Sequence, residues 1–267
     1  MSINETVLEM HYHSALLDVF RKTLGLGKGK FNFFKYSPQK ECFVGFDQAY
    51  VQTDLSEHDL FQNLKSSAIN NRYQLKNFFF GYFLQFKVVK KIHKRSRFTP
   101  KNINRNPHLR VSLDTTKNVN SGFSQHELLY NLNQNNGAFV YYACPMLFER
   151  TDLYNCNPDL DLLRLVVVTS CPSTYSDNEK HFIYFDNITS SPVWCSEPVE
   201  GKSISPKEFA SNLVEILTTE EFYQNIVELF ENLLKPIKSE SEEEKSRILD
   251  HVSDQFFLIQ FQAEEEA

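Results

Sequence analysis

The sequence predicts an α/β protein, a mixed sheet flanked by helices with a helical C-terminal part. Three observations carry that expectation. Segments with helical apolar spacing alternate with short runs of β-branched and aromatic residues, the pattern of a sheet layered with helices. One run, Phe78 to Val89, is apolar enough to be a strand buried on both faces. The last quarter, from Ser205, opens with a helix-start signal that recurs at Thr218. With 267 residues, 41% of them hydrophobic and 14% aromatic, the chain has ample material for a core and is not disordered.

In chain order, residues 3–24 read as a helix whose stripe is Met10, His13, Leu17, Phe20 and Leu24, with Glu9 and His13 adjoining one turn apart. Gly25, Gly27 and Gly29 end it. They follow a helix and precede a strand, the wrong order for a dinucleotide loop. Phe31 to Tyr36 is a strand and Ser37 to Lys40 a turn. Residues 41–47 and 48–51 then form one strand bent near Gly45, or two short ones. Leu60, Phe61, Leu64 and Ile69 place a helix within 56–76, ahead of the central strand. Residues 90–110, with Pro100 and Pro107, read as a loop. A helix follows at 124–134 and strands at 138–145, 163–169 and 181–186.

Ser205-Pro206-Lys207-Glu208 supplies an N-cap, a proline at the first helical position and a glutamate at the third. Thr218 with Glu221 starts a second helix. A third, near Ser239 or Ser241, carries Glu240 to Glu244 in its first turn, where the helix dipole accommodates acids. The expected division is a core over 1–200, holding the inserted helix near 56–76 and the basic loop 90–110. A helical segment over 201–267 packs on it.

Composition removes several function classes. No run has the 18 or so apolar residues of a membrane span, and the first residues lack the basic and apolar regions of a secretory signal. The five cysteines form no CxxC pair, which argues against zinc and against a disulfide framework and fits a reducing cytoplasm. There is neither a GxSxG nor a P-loop. His126 on a partly exposed helix face, His181 at a strand start, Cys144 in a core strand and the turn at 196–198 read as structural. The net charge of −6 is uneven: nine Lys or Arg residues and no acid lie between Lys87 and Arg110. Such a run is either a solvated loop or an anion-binding surface.

The central strand contains the chemical anomaly. Side chains alternate along a strand, so Gln85 and Lys87 share one face while Leu84, Phe86 and Val88 share the other. A lysine buried there requires an anionic partner or a wet cleft; otherwise it marks the strand end and reaches outward. Taken with Gly45-Phe46-Asp47 upstream, an N-terminal helix, and a following helix and apolar strand, the order resembles the nuclease core of the PD-(D/E)xK superfamily. Its nearest likeness is the Mrr-type restriction endonuclease branch, with GxD followed by QxK, over roughly residues 1–150.

The resemblance implies a restriction-endonuclease-like sheet and a metal-dependent DNA endonuclease hydrolysing phosphodiesters. Its catalytic residues would be Asp47, Gln85 and Lys87, with Glu41 or Glu9 as second acid. Mg²⁺ (or Mn²⁺) would sit on Asp47 and the Gln85 carbonyl, since hard cations take oxygen ligands. Lys87 would orient water or stabilise the charge developing on phosphate. Lys90, Lys91, Lys94, Arg95, Arg97 and Lys101 would contact nucleic acid, DNA rather than RNA, next to that site. The resemblance also implies a cytoplasmic restriction or anti-phage defence setting, with a partner protein or a homodimer. Two features depart from the pattern: the gap between Asp47 and Gln85 is long, and no separate DNA-reading module is visible. The alternative is the same fold with a decayed site, serving as a nucleic-acid- or protein-binding subunit.

Overall fold

A computed structural model describes residues 3–23, 32–52, 56–69, 80–134, 138–154, 158–175, 177, 179–195 and 198–217. The chain is mixed α/β, and its strands form two mostly antiparallel sheets. Its elements are α1 (Glu5–Thr23), β1 (Asn32–Lys35), α2 (Pro38–Val44), β2 (Gln48–Gln52), α3 (Glu57–Ile69) and β3 (Phe80–Phe86), then β4 (Lys90–Ile92) and β5 (His108–Ser112). After these come α4 (Gln125–Leu132), β6 (Ala138–Pro145), β7 (Leu163–Val167), β8 (Phe182–Phe185), β9 (Val193–Trp194), β10 (Val199–Glu200), β11 (Ser203–Ile204) and α5 (Pro206–Leu217).

The larger sheet runs β1-β2-β3-β6-β7-β11 and the smaller β10-β9-β8-β5-β4. Among the described strands only β3 and β6 pair in parallel, and α4 lies between them in sequence. The larger sheet separates two cores. Tyr50, Tyr82, Leu84 and Phe86 pack with Leu8, Tyr12 and Leu16 of α1 and Phe209 of α5. On the opposite face Phe83, Val140 and Tyr142 join Val44, Leu64 and Leu128 from α2, α3 and α4, together with Leu109, Val111, Ile183 and Phe185 of the smaller sheet. At ~25 cal/mol per Å² of apolar surface removed from water, this two-sided burial of aromatic strands dominates the favourable side of folding.

Capping sets the helix that matters most. Ser124 Oγ accepts from Glu127 N at 3.1 Å while the Glu127 carboxylate accepts from Ser124 N, a reciprocal box at the start of α4. Ser205 and Glu208 repeat it at α5. Residues 201–204 rejoin the larger sheet through β11, which pairs with β7, and α5 packs on α1.

Several expectations are corrected. Residues 38–44 are helical, not a turn and a strand: Pro38 occupies the first turn, Ser37 O receives the amides of Lys40 and Glu41, and Gly45 closes the helix at φ +83°. In α1 the buried stripe is Leu8, Tyr12 and Leu16, whereas Met10 is 74% exposed. Spacings of four satisfy the same periodicity on a rotated face, and burial of the large Tyr12 ring selects it. The basic segment is not all loop, since β4 and β5 pair at its two ends. His126 is fully buried. Gly25, Gly27, Gly29, residues 70–79, Ser196, Glu197 and the helices expected beyond 217 lie outside the described residues. No described helix is long and apolar enough to cross a membrane.

Candidate functional site

The end of α2 delivers Asp47. Gly45 turns the chain in the left-handed conformation, and a Cβ there would lie 3.0 Å from Gln125 O and 3.1 Å from Leu128 Cβ. The glycine of Gly45-Phe46-Asp47 is thus required by its φ and by the close approach of α2 to α4. Asp47 N donates to Leu84 O at 3.1 Å, and the Gln48–Leu84 register sets Asp47 across from Gln85. The carboxylate is buried. Its Oδ2 accepts from Gln85 Nε2 at 2.5 Å and from Phe86 N at 2.9 Å.

Lys87 follows β3 directly, anchored by its N–H on Ala143 O at 2.9 Å, and is only 7% exposed. It does not snorkel. Its Nζ donates to Gln125 Oε1 at 2.8 Å and lies 3.8 Å from Glu5 Oε1. The nearest carboxylate partner of Lys87 is therefore Glu5, where Asp47 was expected. Asp47 is reached through the two glutamines.

Gln125 completes the site. Its Nε2 donates to Gln85 Oε1 at 3.0 Å and to Glu41 Oε1 at 3.1 Å. Glu41 lies close enough to Asp47 for each carboxyl to act on the other's ionisation. Asp47, Gln85, Gln125 and Glu41 form a chain of side-chain hydrogen bonds, with Lys87 attached at Gln125. Sequence reasoning missed Gln125 and Glu5. The available signal for Gln125 was its place immediately after the capping Ser124, on the helix that follows the Gln85-Phe86-Lys87 strand.

Glu9 is buried on α1 and ion-paired with Lys35 of β1. His13, its expected neighbour, instead meets Tyr50 Oη through Nδ1 at 3.3 Å and packs on the Phe33 ring. Burial lowers the His13 pKa, with Arg21 and Lys35 adding to the effect.

Negative charge is crowded here. Burial pushes the Asp47 pKa up to about 8, reinforced by the charges of Glu41 and Glu9 and opposed by Lys87 and the Phe86 N–H. Burial also raises Glu41, against the pull of Lys87. Two neighbouring buried carboxyls resist ionising together. Such a pair fits a hard divalent cation, which would relieve the repulsion. Among the described residues no three His, Cys, Asp or Glu side chains are grouped so as to hold a metal by themselves. The fit is to a cation bound by Asp47 and Glu41 that takes its remaining oxygens from elsewhere. The Gln85 carbonyl, the ligand expected beside Asp47, accepts from Gln125.

The basic residues divide. Lys90 and Lys91 lie on β4, an edge strand of the smaller sheet, and Lys91 Nζ sits 4.3 Å from the Phe148 ring centroid. Lys94 and Lys101 are exposed. Arg95 donates to Pro100 O at 2.9 Å and to Ile103 O, and Arg97 covers the Phe98 ring. Arg95 thus closes its own loop. No family model matches the chain, and neither a search of curated proteins nor one of solved structures finds a match.

Proposed function

We propose that this chain is a metal-dependent nuclease that hydrolyses phosphodiester bonds in DNA, built on a restriction-endonuclease-like core. The observation that carries the reading is the convergence of Asp47, Glu41, Gln85 and Lys87 at one end of β3, two acids and a buried lysine bridged by Gln125. Helix α1, the strands β1 to β3, α4 and β6 follow in the order that the Gly45-Phe46-Asp47 and Gln85-Phe86-Lys87 resemblance implies.

A bound Mg²⁺ or Mn²⁺ would neutralise phosphate charge and acidify a water. Asp47 and Glu41 would hold that cation, which would relieve the repulsion between them. Lys87, fixed by Gln125, would place a positive charge beside the reacting phosphate without reorganising. Gln85 donates to Asp47 and keeps its carboxylate aimed. Lys90, Lys91 and Lys94 supply sequence-independent attraction for the backbone. The resemblance extends the proposal to a restriction or anti-phage defence role.

Conversion of supercoiled plasmid to nicked or linear forms, dependent on Mg²⁺ or Mn²⁺ and abolished by EDTA, is the expected result. A second reading, a nucleic-acid-binding subunit with an inactive site, draws on Gln125 engaging the Gln85 carbonyl and on the missing third acid among the described residues. It predicts DNA binding with no metal-dependent cleavage.

A further inference from the structure

We propose that Lys90, Arg110 and Tyr184 form a phosphate-binding row on the outer face of the smaller sheet, separate from the Asp47 site. That its phosphate belongs to a DNA strand rests on the nuclease reading above; the site itself does not. Lys90 lies directly opposite Arg110 where β4 pairs with β5, and Arg110 lies directly opposite Tyr184 where β5 pairs with β8. Residues paired in this way on antiparallel strands project from one face. Leu109 and Val111 of β5 enter the core between the two sheets, so the Arg110 row occupies the other face. Lys91, opposite Leu109, accordingly turns inward onto the Phe148 ring.

Two properties of the row are unfavourable without an anion. Like charges directly opposite each other repel, and among the described residues no carboxylate pairs with Lys90 or Arg110. Asp186, two residues beyond Tyr184, is engaged by the amides of Asn104 and Arg105, each at 2.7 Å. Beside the cations, the Tyr184 hydroxyl is buried with no hydrogen-bond partner among the described residues. Both ring nitrogens of His108 share that condition, two residues from Arg110 on the same face and with the ring 5.7 Å from that of Tyr184. Buried polar atoms left unpaired are costly and rare. The Arg110 guanidinium lies 4.6 Å from the Phe182 ring centroid, which holds it along the sheet with its fork of N–H donors uncommitted. Arg95, by contrast, commits its fork to the Pro100 and Ile103 carbonyls. One phosphate group on the row would neutralise the facing cations and accept from Arg110, the Tyr184 hydroxyl and a His108 N–H.

Two probes separate the site from its occupant. The first is sodium phosphate against sodium chloride at equal ionic strength, read by thermal unfolding. The second is a labelled DNA duplex of mixed sequence, read by fluorescence anisotropy in EDTA. Phosphate should raise the melting temperature of the parent by about 2–5 °C more than that of Lys90→Gln or Arg110→Gln, a difference that removes its general salting effect. In chloride alone Lys90→Gln should melt about 1–2 °C above the parent, because the repulsion is gone. Either substitution should weaken DNA binding about tenfold, and the double variant only slightly more, since both cations hold one phosphate. Arg110→Lys keeps the charge without the fork and should bind between Arg110→Gln and the parent. Equal phosphate responses in parent and variants overturn the site, and single effects that multiply in the double variant overturn the shared phosphate. A specific phosphate response in a parent that binds no DNA upholds the site and overturns the nuclease reading. DNA binding and cleavage untouched by all these substitutions do the reverse.

Discussion

Lys87 Nζ donates to Gln125 Oε1 at 2.8 Å, and this contact ties the end of the central strand to the first residue of α4. The same amide reaches Gln85 and Glu41, so one side chain sets the spacing of three groups in the candidate site. Gln125→Leu, similar in size and without polar atoms, takes one hydrogen bond from each of Lys87, Gln85 and Glu41. We expect a stability loss of ~2 kcal/mol and a fall in kcat of about 100-fold, with KM for DNA changed less than threefold. Urea unfolding and single-turnover cleavage measure the two effects, and an unchanged kcat removes Gln125 from the mechanism.

Gly45→Ala tests the backbone that supports this arrangement. Its Cβ would meet Gln125 O at 3.0 Å at a φ of +83°. The expected outcome is a loss of ~1–3 kcal/mol and lower cleavage without loss of DNA affinity, because α4 must shift away from β3. An alanine variant as stable and as active as the parent would show that the contact gives way without cost.

Much of this was legible in the sequence, and the failures have physical causes. Phe80 to Phe86 announced a two-sided strand, and Ser124 with Glu127 announced α4, because local chemistry fixes both. The clustering of Asp47, Gln85 and Lys87 could be anticipated for the same reason: an acid after a glycine turn and a lysine in an apolar strand are local oddities. Helix α2 was not readable. Seven residues with Phe43 and Val44 adjacent suit a strand as well as a helix, and only packing against α3 and α4 decides. The second sheet was hidden because β4 is three residues long and pairs across a proline-containing loop. Glu5 carries no local signal and Gln125 only its place after the capping Ser124, since their roles exist only once α1, β3 and α4 meet.

The basic segment should separate into two classes. Lys90→Ala and Lys94→Ala are expected to weaken DNA binding across sequences and to reduce the salt slope by about one unit each, with stability unchanged. Arg95→Ala should lower the melting temperature instead, because its guanidinium holds the Pro100 and Ile103 carbonyls of its own loop. Equal effects of all three substitutions on the salt slope would show that the loop contacts of Arg95 are incidental.

Two buried groups bend the pH dependence of stability in opposite directions. Burial lowers the His126 pKa to about 4, with the ring bound to Tyr142 Oη at 2.8 Å and to Ser173 O at 3.0 Å. The folded state disfavours its proton, so this contribution is complete above about 6.5 and lost as pH falls towards 4. Asp47, raised from 3.8 to about 8, behaves oppositely: its contribution is complete below about 4 and lost as pH rises through 8. Asp47→Asn removes only the second effect. Its stability relative to the parent should therefore grow with pH between about 4 and 8, by up to ~1.4 kcal/mol per pH unit. Urea midpoints of the two proteins across that range check this, and a constant difference would contradict the raised Asp47 pKa.

The most direct test of the central claim is metal-dependent cleavage by Lys87→Ala, measured in single turnover beside the parent and Asp47→Ala. Asp47→Ala should lose both cleavage and metal binding. Lys87→Ala should lose ~1–3 kcal/mol, because Gln125 Oε1 and Glu5 each lose a partner, yet still fold and bind DNA while cleaving at least 100-fold more slowly in Mg²⁺. Cleavage by Lys87→Ala at the parental rate would contradict the proposed mechanism. Unfolding of that variant would assign Lys87 to a structural pair with Glu5.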